Sequence, residues 1–166
     1  MTQYNHLLDP TVLEVLQQHR LDFEALQCDP KLADTADFCK HYGFTPDMSA
    51  NALLVGSKKG EPKFALCVVL ANCRLDVNKA VRKKLEVKRL SFADPDTTKA
   101  MTGMELGGVT PIGVPTELPV WIDAAVMQLP KIILGGGNRQ SKLLLPPDEL
   151  LKLQNTETVA ALAIPN

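Results

Sequence analysis

Residues 51–70 read NALLVGSKKGEPKFALCVVL, and their periodicity decides the fold class. Ala52-Leu53-Leu54-Val55 and Phe64-Ala65-Leu66-Cys67-Val68-Val69-Leu70 are short apolar runs bounded by turn residues, the pattern of strands rather than helices. The polar stretch between them, Ser57-Lys58-Lys59-Gly60-Glu61-Pro62, predicts a β-hairpin whose second strand is buried on both faces. Cys67 lies inside that second run and reads as core.

Before the hairpin the apolar period is helical. Asp9-Pro10 supplies an N-cap and a proline at the first helical position, with Val12, Val15, Leu16 and His19 as the stripe. A short strand at Phe23-Glu24-Ala25-Leu26 follows, then a helix from Asp34-Thr35 that Gly43 stops. After the hairpin, Asp76 is expected to cap a helix through Leu85, Lys88 to Phe92 to form a strand, and Asp94 or Asp96 to open a helix ended by Gly103. Val120-Trp121-Ile122-Asp123, Lys131-Ile132-Ile133-Leu134 and Lys142-Leu143-Leu144-Leu145 read as further strands. A helix opened by Pro147 and an edge strand over Val159 to Leu162 complete the chain. The expected architecture is α+β, a mixed and largely antiparallel sheet with helices outside, in a single domain over residues 1–166.

Composition narrows the function. A chain of 166 residues, 45% hydrophobic and 22% charged, has the makeup of an ordinary globular domain with one core. No window approaches the roughly 18–20 apolar residues of a membrane span, and Asn5, His6, Asp9 and Glu14 do not suit a signal peptide, so no membrane partner and a cytoplasmic address are expected. Cys28, Cys39, Cys67 and Cys73 lack the spacing of a zinc site or disulfide framework, so neither metal nor cofactor is called for. The net charge of −1 argues against a DNA-coating protein. Local charge differs: Lys79, Arg82, Lys83, Lys84, Lys88 and Arg89 cluster with only Glu86 opposing them, which is either a solvated face or a patch for one arm of an RNA.

No Gly-x-Ser-x-Gly elbow, Walker lysine or Gly-x-Gly-x-x-Gly is present, and His6, His19 and His41 all precede the glycine-rich segments. What remains are two glycine turns, Gly107-Gly108-Val109-Thr110-Pro111-Ile112-Gly113 and Gly135-Gly136-Gly137-Asn138-Arg139. Without a Cβ, such turns allow close approach of a ligand and can aim backbone N–H groups at it.

In order and spacing, Ala52-Leu53-Leu54-Val55, Arg74-Leu75-Asp76, Ala93-Asp94-Pro95, Thr102-Gly103, Gly107-Gly108-Val109-Thr110-Pro111, Asp123 and Gly135-Gly136-Gly137-Asn138-Arg139 resemble the YbaK and prolyl-tRNA synthetase-associated editing domain family, from about Cys28 to Val159. The resemblance implies a curved, seven-stranded mixed sheet with flanking helices. It also implies hydrolysis of aminoacyl-tRNAs that carry the wrong amino acid. The partners it implies are the acceptor end of a tRNA, with the basic cluster as its contact, and a tRNA synthetase.

On that resemblance the Gly107 to Pro111 loop shapes the amino-acid pocket, and Asn51, Gly107 and Gly108 are the candidate catalytic positions. Thr35, Val109, Thr110, Pro111, Asp123, Gly135, Gly136, Gly137, Arg139 and Lys142 are the candidate substrate contacts. The ester is already activated, so positioning and N–H donors for developing negative charge can do much of the work. One departure matters. Editing members usually carry a lysine where this chain has Asn51, so phosphate anchoring there loses its charge. Either Lys58, Lys59 or Lys142 brings the cation from another direction, or the domain binds an aminoacyl-RNA or small ligand without hydrolysing it. A third reading is an interaction protein with a vestigial pocket.

Overall fold

A computed structural model describes residues 3–166 of the chain. Helix α1 (Pro10–Gln18) starts where the sequence places it, with the Asp9 carboxylate accepting from Thr11 N and Val12 N. Strand β1 (Glu24–Gln27) and helix α2 (Thr35–Tyr42) follow, and α2 ends at Gly43 with φ 79°. The hairpin is β2 (Ala50–Ser57) against β3 (Phe64–Leu70), antiparallel from Ala50↔Leu70 to Gly56↔Phe64. Cys67 is wholly buried. Beyond it come β4 (Cys73–Leu75), α3 (Arg82–Leu85), β5 (Leu90–Phe92) and α4 (Pro95–Thr102). Strands β6 (Val120–Asp123), β7 (Ile132–Gly135), β8 (Ser141–Leu145), β9 (Thr156–Val159) and β10 (Ala163–Pro165) close the chain.

Three hydrogen-bonded sheets result, ordered β1-β8-β7, β5-β2-β3-β6-β9 and β10-β4. The first two are joined by a single parallel bridge between Ser49 and Ile133. Through that bridge β1-β8-β7-β2-β3-β6-β9 forms one curved series of seven strands, antiparallel except for β7 beside β2, β3 beside β6 and β6 beside β9. The α+β expectation therefore holds, with ten strands among the described residues because β5 and the β4–β10 pair add to the seven.

Alternation along β2 divides the core. Ala50, Ala52 and Leu54 join the large cluster with Leu66, Val68, Ile122 and Leu143, while Leu53 and Val55 face a second cluster with Val69, Val81, Leu90 and Trp121. Burial of this kind stabilises by about 25 cal/mol per Å² of apolar surface, which is why both faces of β3 are apolar.

Three local expectations are corrected. Asp76 makes no side-chain cap; a π-type turn over Val77–Val81 precedes α3, with Val81 N donating to Asp76 O, and Asp76 N is taken by Leu162 O. The segment after Pro146 is a 3₁₀ helix, Pro147–Lys152, rather than an α-helix. The last strand is two strands, because Ala161 at φ 56° turns the chain between β9 and β10. His19 is exposed at the end of α1 and joins no core.

Candidate active site

Parallel pairing between β2 and β7 stops at the Ser49–Ile133 bridge, and the wedge beyond it is a cleft of about 240 Å³. Its walls are Ser49 and Ala50 to Leu53 at the start of β2 and Ile133, Leu134 and Gly135 of β7; Asp34 with Thr35 and Phe38 of α2 roof it, and Leu106, Gly107 and Val109 form its rim. Lys142, from β8, closes it. The volume falls just below the roughly 300–1,000 Å³ of ordinary small-molecule clefts.

The two glycine turns meet at this rim. Gly137 N donates to Gly108 O at 2.7 Å, and a Cβ on Gly135 would stand 2.5 Å from Gly108 O and 2.6 Å from Val109 O. A Cβ on Gly108 would stand 2.5 Å from the carbonyl carbon of Asn138. The glycines are thus required for main chain to lie on main chain. Their N–H groups are partly spent in doing so: Gly108 N donates to Glu105 O and Gly137 N to Gly108 O, so these two do not face a ligand.

Lys142 is 5% exposed, and its ammonium donates to Ala33 O at 2.5 Å and Gly107 O at 2.7 Å, lying 5.5 Å from the centre of the Phe38 ring. Burial lowers its pKa from the ordinary 10.5, with the Arg139 charge adding to the effect and Cys28 and Asp34 opposing it. Cys28, buried nearby, has its thiol pushed up by burial against the pull of Lys142. An ammonium has three donors, and among the described residues two of them are taken. Across the cleft Thr35 Oγ1 donates to Asn51 Oδ1 at 2.5 Å.

Of the residues singled out in the sequence, Thr35, Asn51, Gly107, Val109, Gly135 and Lys142 share this cleft. The others lie elsewhere. Gly136 and Gly137 pack on the start of α1, where Asp9 N donates to Gly136 O. Thr110 is fully buried, and its hydroxyl has no partner among the described residues. Pro111 lines a separate crevice with Val15 and His19. Asp123 is buried and accepts from Leu162 N at 2.9 Å, holding the C-terminal turn.

Arg139 does not grip the cleft's interior. It is a clamp, donating to Pro30 O at 3.0 Å, Leu106 O at 2.7 Å and Asp34 Oδ1 at 3.3 Å, so it ties the rim to the start of α2. Asp34 is the N-cap residue of α2, and its side chain makes no cap bond. Sequence reasoning passed over Asp34, Phe38 and Leu106; Phe38 belongs to the apolar stripe of α2 and carries no signal that separates a cleft wall from core. Lys58 and Lys59 sit on the exposed hairpin tip and do not line the cleft. Among the described residues no group of three His, Cys, Asp or Glu side chains converges as a metal site, and no helix is long and apolar enough to cross a membrane.

Comparison with known proteins identifies the family and the fold. The profile of the aminoacyl-tRNA editing domain matches residues 29–153. EbsC of Enterococcus faecalis (strain ATCC 700802 / V583), named as a candidate Cys-tRNA(Pro)/Cys-tRNA(Cys) deacylase, is 30% identical over 105 residues, 61% of this chain and 59% of its own. The chain thus spans just under three fifths of that relative. Among solved structures, a candidate trans-editing enzyme for prolyl-tRNA synthetase superposes with a TM-score of 0.77 at 21% identity, covering 96% of this chain and 99% of the other. The hypothetical protein APE2540 does so at 0.81 and 21% identity, covering 92% and 99%. With that profile spanning residues 29–153, most of its length, this chain belongs to the aminoacyl-tRNA editing domain family.

Proposed function

We propose that this domain is a trans-editing hydrolase, removing a small, wrongly attached amino acid from the acceptor end of a tRNA. The observation that carries the reading is the small cleft in which Asn51, Thr35, Gly107 and Lys142 face one another. In the reaction, water adds to the ester carbonyl carbon and the bond from that carbon to the ribose oxygen breaks. The proton lost by the water ends on the ribose hydroxyl, leaving free amino acid and free tRNA. On this reading the N–H of Lys142 that Ala33 O and Gly107 O leave over stabilises charge developing on the carbonyl oxygen, and the Asn51 amide holds the terminal ribose. Lys142 thereby replaces, from β8, the cation that Asn51 lacks on β2.

Size selects the substrate by clash, while a single methylene changes affinity by only about 1–3 kcal/mol. Alanine, serine, threonine and cysteine all suit the cleft, and the name of EbsC puts cysteinyl-tRNA(Pro) first. A tRNA synthetase that makes the error is the expected partner.

The test is deacylation of tRNAs charged with each of these four amino acids by the purified protein at micromolar concentration. Hydrolysis above buffer for at least one supports the reading; none for any pair removes it. One observation favours a second reading, a binding domain without turnover, because the Thr35 bond engages the amide that stands where the family has lysine. Hydrolysis by Asn51→Lys together with none by the wild type would establish that alternative.

A further inference from the structure

The sheet face that carries Asn51 continues past the cleft, and its far end is cationic. Side chains alternate along β2, so Asn51, Leu53 and Val55 share one face. On the neighbouring edge strand Phe92 pairs with Val55 and Leu90 with Ser57, which puts Phe92 and Leu90 on that face too. Val55 and Leu90 are buried in the second core beneath Val81 and Leu85, but Phe92, on the open edge, is 53% exposed, the most exposed large apolar side chain among the described residues. Just beyond it a groove is lined by Lys58, Asn78, Arg82, Lys88, Arg89 and Leu90. Among the described residues four cations and no carboxylate line it, whereas the adjoining hollow around Lys79 and Lys83 also holds Asp76 and Glu86. Asp94, two residues beyond Phe92, has its carboxylate engaged by Thr97 N at 2.7 Å as the cap of α4.

We propose that Phe92 is a stacking platform for an unpaired base of the RNA end whose terminal nucleotide enters the cleft, and that the Lys58–Arg82–Lys88–Arg89 groove holds the phosphates that follow. The assignment rests on the editing reading, and adds to it a residue and a direction. Along β2 the advance from Asn51 to Ser57 is about 20 Å at roughly 3.3 Å per residue, so Phe92 stands about two thirds of the way from cleft to groove. Aromatic stacking accepts any base, and a phosphate track supplies affinity without sequence preference, which is what an enzyme reading only the end of an RNA requires. An exposed phenylalanine between an acyl-sized cleft and a carboxylate-free basic groove has no packing role that accounts for it.

The test uses a fluorescent RNA hairpin with a four-nucleotide unpaired 3′ end, and the same hairpin made blunt, in binding titrations at several salt concentrations. Phe92→Ala is expected to weaken binding of the tailed hairpin at least fivefold, the low end of base–aromatic stacking, and to leave the blunt hairpin unaffected. Arg82→Ala and Arg89→Ala are expected to weaken both RNAs and to lower the salt slope by about 0.9 for each phosphate left without its cation. Binding of the tailed hairpin by Phe92→Ala within twofold of wild type, or an equal loss on the blunt one, overturns the platform; unchanged salt slopes in the arginine variants overturn the track. These outcomes separate from failure of the editing reading. RNA binding that behaves as stated without deacylation of any charged tRNA leaves this surface standing and removes the hydrolase, and deacylation with wild-type binding in all three variants does the reverse.

Discussion

Replacing Gly108 by alanine should pull the two glycine turns apart. The new Cβ would lie 2.5 Å from the carbonyl carbon of Asn138, which is backbone and cannot rotate away as a side chain could. Gly108 has no positive φ, so alanine meets no conformational strain there and the whole effect is the clash. Overpacking of this kind costs about 1–3 kcal/mol. Separation also breaks the 2.7 Å bond from Gly137 N to Gly108 O, worth about 1 kcal/mol. A total of about 2–4 kcal/mol corresponds to a fall in Tm of roughly 4–16 °C for a domain of this size. Two measurements check it: thermal unfolding by circular dichroism, and hydrogen exchange of the Gly137 amide, which should quicken well beyond the exchange of β3. A variant that melts within a degree of wild type, with Gly137 exchanging as slowly as before, refutes the packing of one turn on the other and with it the cleft's rim.

The other expectations concern charge and burial. In Lys142→Met, relief of burying an ammonium offsets the loss of its bonds to Ala33 and Gly107, so Tm should move little while deacylation falls about 10²–10³-fold, the effect of losing one oxyanion donor. Because burial lowers the Lys142 pKa, wild-type activity should fade with rising pH before the ordinary lysine value of 10.5; a rate that holds steady through that value denies the ammonium its role. Cys67 is pushed by burial from 9.0 up to about 12, so the unfolded chain releases this proton first and stability falls as pH rises from 9 towards 12. Its share is about 1 kcal/mol between pH 9 and 10, read as the difference in urea unfolding between wild type and Cys67→Ala; equal pH slopes in the two would contradict it. Asp123→Ala should cost about 1–3 kcal/mol by leaving Leu162 N unpaired, with kcat unchanged and stability largely restored in Asp123→Asn. A kcat lost in both variants at wild-type stability would instead place Asp123 at the substrate.

What residues 51–70 settled alone was the hairpin, because period and turn chemistry act between neighbours in the chain: Lys58 and Gly60 had to lie at a tip, and Cys67 in the interior. The cap at Asp9 and the stops at Gly43 and Gly103 were legible for the same reason, while the start of α4 stayed open between Asp94 and Asp96 until the fold put the cap on Asp94. At Asp76 the local signal misled: its carboxylate makes no cap, and a π-type turn over Val77–Val81 precedes α3 while its backbone N–H goes to Leu162 O. Asp34 begins α2 as its sequence indicates, and its carboxylate also meets Arg139, over a hundred positions away. The cleft itself is wholly a tertiary matter. It exists because β2 and β7, separated by some eighty residues, touch at one bridge and then part, and because β8 runs alongside β7 and carries Lys142 into the gap. Glycine turns announce that main chain will approach something closely; only the folded chain decided what, setting Gly108 and Gly135 on each other's turn but Gly136 and Gly137 against Ser141 and the start of α1.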